Sequence, residues 1–145
     1  MRTSLLALVA AAAVVGPAAP AAAKTVEYDA RATVHKRSQT GTTLVYAGKV
    51  RSTHLGPGRV KQTIRLAGLN ATGSFVIRYR HGKLRGTTQT TGRPRLDGTA
   101  AFSGSVRITG GTGRYAGATG SGRYTGSAPL DLSKATFRQR GTITY

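Results

Sequence analysis

The chain has 145 residues, with 22 lysines and arginines against only four aspartates and glutamates, giving a formal net charge of +18 at pH 7. It has no cysteine, which excludes disulfides and lipid attachment through a cysteine. The charges alternate with apolar residues instead of forming blocks, and this pattern indicates a folded protein rather than a disordered one.

Residues 1–23 have the pattern of a secretory signal peptide. Arg2 supplies the positive start, Leu5–Val15 is an apolar run, and Ala21–Ala23 form a small-residue cleavage site. A transmembrane anchor is the alternative, but the apolar run is short and is followed by glycine and proline. We therefore expect a secreted, extracellular protein in which residues 24–145 form one domain without a membrane span.

After the signal peptide, apolar and polar residues alternate with a period of two, as in β-strands with one buried face. Eight such segments separated by turn signals predict an all-β fold, an eight-stranded antiparallel barrel. The positions predicted to face inward are, in chain order, Val26, Tyr28, Ala30 and Ala32; Leu44, Tyr46, Gly48 and Val50; Val60, Gln62, Ile64 and Leu66; Phe75, Ile77 and Tyr79; Leu84, Gly86, Thr88 and Thr90; Phe102, Gly104, Val106 and Ile108; Gly122, Tyr124 and Gly126; and Phe137, Gln139, Gly141 and Ile143.

Several of the inward positions are glycines, and they have two interpretations. They either let the strands coil sharply or leave room inside for a ligand. An eight-stranded barrel is just wide enough to be filled by side chains or to hold one small ligand, so both interpretations stay open. The glycines concerned are Gly48, Gly86, Gly104, Gly122, Gly126 and Gly141.

Polar side chains among the inward positions form a candidate lumen site for a small apolar ligand. In the alternative interpretation these groups satisfy one another's hydrogen bonds. The candidate residues are Tyr28, Tyr46, Gln62, Tyr79, Thr88, Tyr124 and Gln139.

Cations on the outward face form a second candidate site, for anionic polymers. A two-residue hairpin at His81 and Gly82 would place Arg80 opposite Lys83 and Arg78 opposite Arg85. Opposed like charges are destabilising, so their repetition favours a bound polyanion, whereas the alternative is that long side chains spread into salt-screened water. No base-reading motif accompanies them, so sequence-specific nucleic-acid binding is not predicted. The candidate residues are Arg59, Lys61, Arg65, Arg78, Arg80, Lys83 and Arg85.

The stretch RITGGTGRYAGATGSGRYTGS, residues 107–127, is rich in glycine. It contains the spacing of a dinucleotide-binding motif, but the glycines that follow cannot form the helix this motif requires. No cofactor is predicted, and an anion-binding nest of loop amides remains an alternative.

This stretch, with the preceding VRIT and the terminal GTITY, resembles the allene oxide cyclase and dirigent-like barrel superfamily, in particular its small secreted bacterial members of unassigned function. The resemblance implies a barrel in which the glycine motif shapes a connection between two strands. It also implies an alternative function, cyclase or dirigent activity that guides a reactive small molecule with acidic and polar side chains inside the barrel. The four acids, Glu27, Asp29, Asp97 and Asp131, are predicted to lie outward or in turns.

The three histidines, His35, His54 and His81, lie on different hairpins with no cysteine or carboxylate cluster beside them. Neither a metal site nor a catalytic group is therefore predicted. The sequence favours a secreted binding protein, for an anionic polymer or a small lumen ligand, over an enzyme.

Overall fold

The computed structural model describes Gly16 and residues 22–145, so the expected signal peptide lies almost wholly outside the described part. Consecutive strands pair antiparallel and the last pairs with the first, which closes the sheet into a barrel. The prediction of an all-β, eight-stranded antiparallel barrel is confirmed. The strands are β1 Thr25–Thr40, β2 Thr43–Ser52, β3 Gly56–Ala67, β4 Asn70–Tyr79, β5 Gly82–Pro94, β6 Thr99–Gly111, β7 Thr119–Pro129 and β8 Lys134–Thr144, with a 3-10 turn at Gly113–Tyr115 between β6 and β7.

The two faces of the strands follow the predicted alternation. The interior contains fully buried side chains such as Ala30, Leu44, Ile77 and Ile143. The residues next to each of them in the strand point outward. Paired positions share a face, so inward residues of neighbouring strands meet across the ladder, as Ala32 meets Phe137. Burial of this inner face drives the curling of the sheet.

The two ends of the barrel differ. We call the end at which β1 begins and β8 ends the capped end, because Tyr115, from the β6–β7 connection, is buried there. Its ring centroid lies 6.0 Å from that of Tyr79 and 5.1 Å from that of Tyr145. Lys24 and Tyr145 also exchange two backbone hydrogen bonds there.

The glycine-rich motif builds this cap. Gly113 has a φ of +60°, and a Cβ there would lie 2.4 Å from the carbonyl oxygen of His81. The next amide, of Arg114, donates to that same carbonyl at 2.9 Å. Other amides of the connection, at Thr112, Tyr115, Ala116 and Ala118, also donate to carbonyl oxygens, so they are not free to hold an anion. The motif therefore packs on the β4–β5 hairpin and positions Tyr115.

The inward glycines allow neighbouring strands to approach closely. A Cβ at Gly104 would lie 1.8 Å from the carbonyl oxygen of Gln89 on the next strand, and one at Gly48 would lie 2.0 Å from that of Thr33. The other inward glycines show the same contact at 2.1–2.3 Å. Of the two interpretations, sharp coiling is the one the structure supports, because the missing side-chain volume is taken up by neighbouring backbone.

Candidate functional site

The end opposite the cap, which we call the open end, contains a cavity of about 270 Å³. Aliphatic and aromatic side chains form most of its wall, among them Leu44, Ile64, Ala71, Phe102 and Ala128. The surrounding loops join β1 to β2, β3 to β4, β5 to β6 and β7 to β8. The interior of the barrel thus contains a mainly apolar pocket at its open end.

Three of the seven predicted lumen residues line this cavity: Tyr46, Gln62 and Tyr124. Gln62 is only 2% exposed, and its Nε2 donates to the Tyr124 hydroxyl at 3.1 Å. The Tyr46 hydroxyl donates to the carbonyl oxygen of Leu132 at 2.8 Å. The cavity therefore has polar groups whose orientation is fixed by hydrogen bonds within the protein.

The ring of Tyr124 is held on both sides by aromatic neighbours. Its centroid lies 5.7 Å from that of Phe102 and 4.9 Å from that of Phe137, both in stacked geometry. Burial raises the pKa of Tyr124, and it also raises the pKa of Tyr46. Both phenols stay protonated at neutral pH, so they serve as hydrogen-bonding groups and not as bases.

The other four predicted lumen residues, Tyr28, Tyr79, Thr88 and Gln139, are buried in the interior but do not line the cavity. The Tyr28 hydroxyl donates to Gln139 Oε1 at 3.0 Å, and the Tyr79 hydroxyl shares a hydrogen bond with the Ser52 hydroxyl. Burial raises the pKa of Tyr79 to about 12. Within residues 22–145, only Gln139 Nε2 is a buried side-chain polar atom without a partner. Most of these buried polar groups therefore satisfy their hydrogen bonds within the protein.

Sequence reasoning placed Leu66 inward but missed three leucines in the loops of the open end. These are Leu69, Leu130 and Leu132, which line the cavity together with Leu66. Leu69 and Leu130 lie in hairpin loops, outside the alternating segments from which the lumen was predicted. Leucines in otherwise polar hairpin loops are the signal that could have found them.

The outer face carries a row of directly paired cations across four strands. Lys49 pairs with Arg59, Arg59 with Arg78, and Arg78 with Lys83. We call these four residues the cationic row. Three of them were predicted for the anionic-polymer site, and Lys49 was not.

The remaining four predicted cations are spread more widely. Lys61 and Arg85 each lie two residues from a member of the cationic row on the same strand, and both pair with Val76. Arg65 is six residues beyond Arg59 on β3, about 20 Å away at the usual rise of a strand. Arg80 lies in the β4–β5 turn.

The predicted pairing of this hairpin is wrong. The turn is formed by Arg80 and His81, so that Lys83 faces Arg78 instead of Arg80. Gly82 starts β5 because it lies against the β6–β7 connection, where a Cβ would be 2.1 Å from the carbonyl oxygen of Thr112. This contact is remote in sequence, so the local turn pattern could not reveal it.

The four acids lie outside the lumen. Asp29 accepts from Arg138 Nε at 2.8 Å, and its hydrogen bonds with Arg138 hold the pKa of that carboxyl below its usual range. Glu27 is exposed, and Asp97 and Asp131 accept hydrogen bonds from Thr99 and Ser133 in loops of the open end. No group of three potential metal ligands occurs within the described residues, and no helix among them has the length and hydropathy to cross a membrane.

The molecule is thus a closed eight-stranded antiparallel barrel with one end capped by tyrosines and an apolar cavity at the other. No protein-family model matches the chain, and no curated protein matches it. Among solved structures it is similar to one described as pyocyanin demethylase, with 15% identity and a TM-score of 0.39 over 81% of this chain and 99% of that one. A similarity this low carries no functional argument.

Proposed function

We propose that this protein binds a small, mainly apolar molecule in the cavity of its open end. The observation that carries the proposal is the cavity itself, about 270 Å³ with aliphatic and aromatic walls around the Gln62–Tyr124 pair. Ligand pockets typically measure about 300–1,000 Å³, so a cavity at the lower limit suits a small ligand. An amide and a hydroxyl beside apolar walls suit a ligand with one polar group.

We also propose that the chain is a secreted member of the allene oxide cyclase and dirigent-like barrel superfamily. The closed barrel of eight strands and the glycine motif between β6 and β7 support this membership. Cyclase or dirigent chemistry is not favoured by the lumen, because its phenols are protonated and the acids lie outside it. Binding of a ligand requires neither an ionised phenol nor an acid in the lumen.

The test is a titration with the neutral fluorescent probe N-phenyl-1-naphthylamine, since a neutral probe avoids the cationic outer face. Ala71→Phe and Ala135→Phe place a ring in the cavity, and we expect each to weaken probe binding at least tenfold. Val76→Phe adds the same ring on the outer wall and should bind the probe like the wild type. Absence of probe binding, or equal binding by all variants, would overturn the proposal.

A second candidate function is the binding of an anionic polymer at the cationic row. Lys49, Arg59, Arg78 and Lys83 are directly opposed on neighbouring strands, and this arrangement costs stability in the free protein. A polyanion lying across the four strands would relieve the repulsion and release its own counterions.

The matched comparison is between two double variants that each remove two positive charges. Arg59→Ser/Arg78→Ser interrupts the row, whereas Arg107→Ser/Arg123→Ser removes exposed cations from β6 and β7. Retention on heparin, a teichoic acid and single-stranded DNA should fall with salt for every form and should be weakest for the first variant. Equal retention of both variants would assign the binding to diffuse charge and refute a site at the row.

A further inference from the structure

Three loops of the open end each present an exposed leucine. Leu96 is fully exposed in the β5–β6 loop, Leu69 is 59% exposed in the β3–β4 loop, and Leu130 is 54% exposed in the β7–β8 loop. Only one other large apolar side chain is exposed in the described part of the chain, Val76 on the outer wall. Exposed apolar side chains gathered around one opening mark an interaction surface.

Two of these leucines also belong to the entrance of the cavity. Leu69 and Leu130 line the cavity while remaining more than half exposed, so the apolar lining continues onto the outer surface. Leu96 does not line the cavity and is fully exposed. Whatever covers the three leucines therefore also covers the route by which a ligand enters.

The rim around the leucines is positively charged. Arg65, Arg93 and Lys134 are exposed near the strand ends next to these loops, and Arg95 is exposed in the β5–β6 loop. The two acids of the open end are engaged in their own loops, where Asp97 accepts from the backbone amide and the hydroxyl of Thr99, and Asp131 accepts from the amide of Ser133. Exposed leucines with cations behind them match the apolar and anionic layers of a lipid surface.

We propose that the open end docks on an anionic lipid bilayer, with Leu69, Leu96 and Leu130 entering the boundary between headgroups and acyl chains. The part of this inference that concerns ligand exchange rests on the proposed function: an apolar ligand passes between the bilayer and the cavity without crossing water. A second copy of the chain is a poorer occupant, because an end-to-end dimer would bring two cationic rims together.

The first test uses the absence of tryptophan from the chain. In Leu96→Trp the only tryptophan lies on the rim, and in the matched control Val76→Trp it lies on the outer wall. With phosphatidylglycerol vesicles, we expect a blue shift and quenching by brominated acyl chains for the first variant and neither for the second. No shift at position 96, or equal shifts at both positions, would overturn the docking proposal. Equal shifts would mean that the outer cations hold the barrel on its side.

The second test separates docking from ligand binding. Leu96→Ser should reduce sedimentation with phosphatidylglycerol vesicles at least threefold and leave binding of the naphthylamine probe unchanged, whereas Val76→Ser should change neither. Ala71→Phe should lose the probe and keep vesicle binding. Undiminished sedimentation of Leu96→Ser would refute docking and leave the cavity proposal intact. Failure of the wild type to bind the probe would refute the cavity proposal, and the tryptophan spectra would still decide docking.

Discussion

At the residue scale, the interior combines aliphatic packing with a few hydrogen-bonded polar pairs. Gln62 and Tyr124 are both nearly fully buried, and each is the other's hydrogen-bonding partner. A buried polar group that loses its partner bears the full cost of its desolvation. The pair therefore fixes both side chains at the cavity.

Tyr124→Phe should destabilise the protein by about 1–3 kcal/mol, because the Gln62 amide would lose its partner in the interior. Urea unfolding followed by circular dichroism measures the change. Tyr145→Phe is the matched control, since the Tyr145 hydroxyl makes no hydrogen bond to the described residues and this ring is only partly buried. Equal stability of the two variants would contradict the account of this pair.

The buried phenols predict a stability that falls at alkaline pH. The pKa of Tyr79 is raised to about 12, and burial raises the pKa values of Tyr28 and Tyr124 further above the ordinary value. A tyrosine in the unfolded chain loses its proton at about pH 10. The raised pKa values therefore contribute their full stabilisation below that pH, and this contribution is lost as the pH rises through the pKa values of the folded state. Tyrosinate absorbance should therefore rise cooperatively with loss of the folded circular dichroism spectrum. Titration of all six tyrosines near pH 10 without unfolding would contradict this.

At the element scale, the alternation of side chains predicted which face of every strand is buried. The period of two is a local property, and the inward set from Tyr28 to Ile143 follows it throughout. The pairing at Gly82 and the leucines of the mouth could not be predicted in this way. The pairing at Gly82 depends on a contact with Thr112, about thirty residues away in the sequence. The exposed leucines lie in loops, where apolar and polar residues do not alternate with a fixed period.

The close approach of neighbouring strands should make the inward glycines intolerant of a methyl group. We expect Gly104→Ala to cost about 1–3 kcal/mol, because the new Cβ would overlap the carbonyl oxygen of Gln89 and force the strands apart. Gly92→Ala is the matched control within β5, where the nearest atom to a Cβ lies 3.5 Å away. Thermal unfolding of the two variants at equal temperatures would contradict the account.

At the scale of the whole molecule, all but one of the 22 lysines and arginines belong to residues 24–145, which form a small closed barrel, against four acids. The only salt bridges of the described residues join Asp29 to Arg138 and Arg140, so repulsion dominates the surface. The interior is neutral, and its two ends differ, one being capped by Tyr115 and the other lined with leucines. The molecule thus has a cationic outer wall and an open end with exposed apolar side chains.

Because of this repulsion, added salt should stabilise the folded protein. The melting temperature should rise as sodium chloride increases from low to physiological ionic strength, since at 0.1 M the repulsion between exposed charges more than about 10 Å apart is largely screened. Arg59→Ser/Arg78→Ser should itself melt higher at low salt and respond less to added salt. A melting temperature that is independent of salt in both proteins would show that the cationic row costs little.

Binding of a small apolar molecule in the open-end cavity can be observed by nuclear magnetic resonance of the protein with the neutral naphthylamine probe. We expect intermolecular Overhauser effects from the probe to the methyl groups of Leu44, Ala71 and Ala128, which line the cavity, and none to those of Val76 on the outer wall. Contacts confined to the outer wall, or no contacts with the cavity methyl groups at saturating probe, would contradict it.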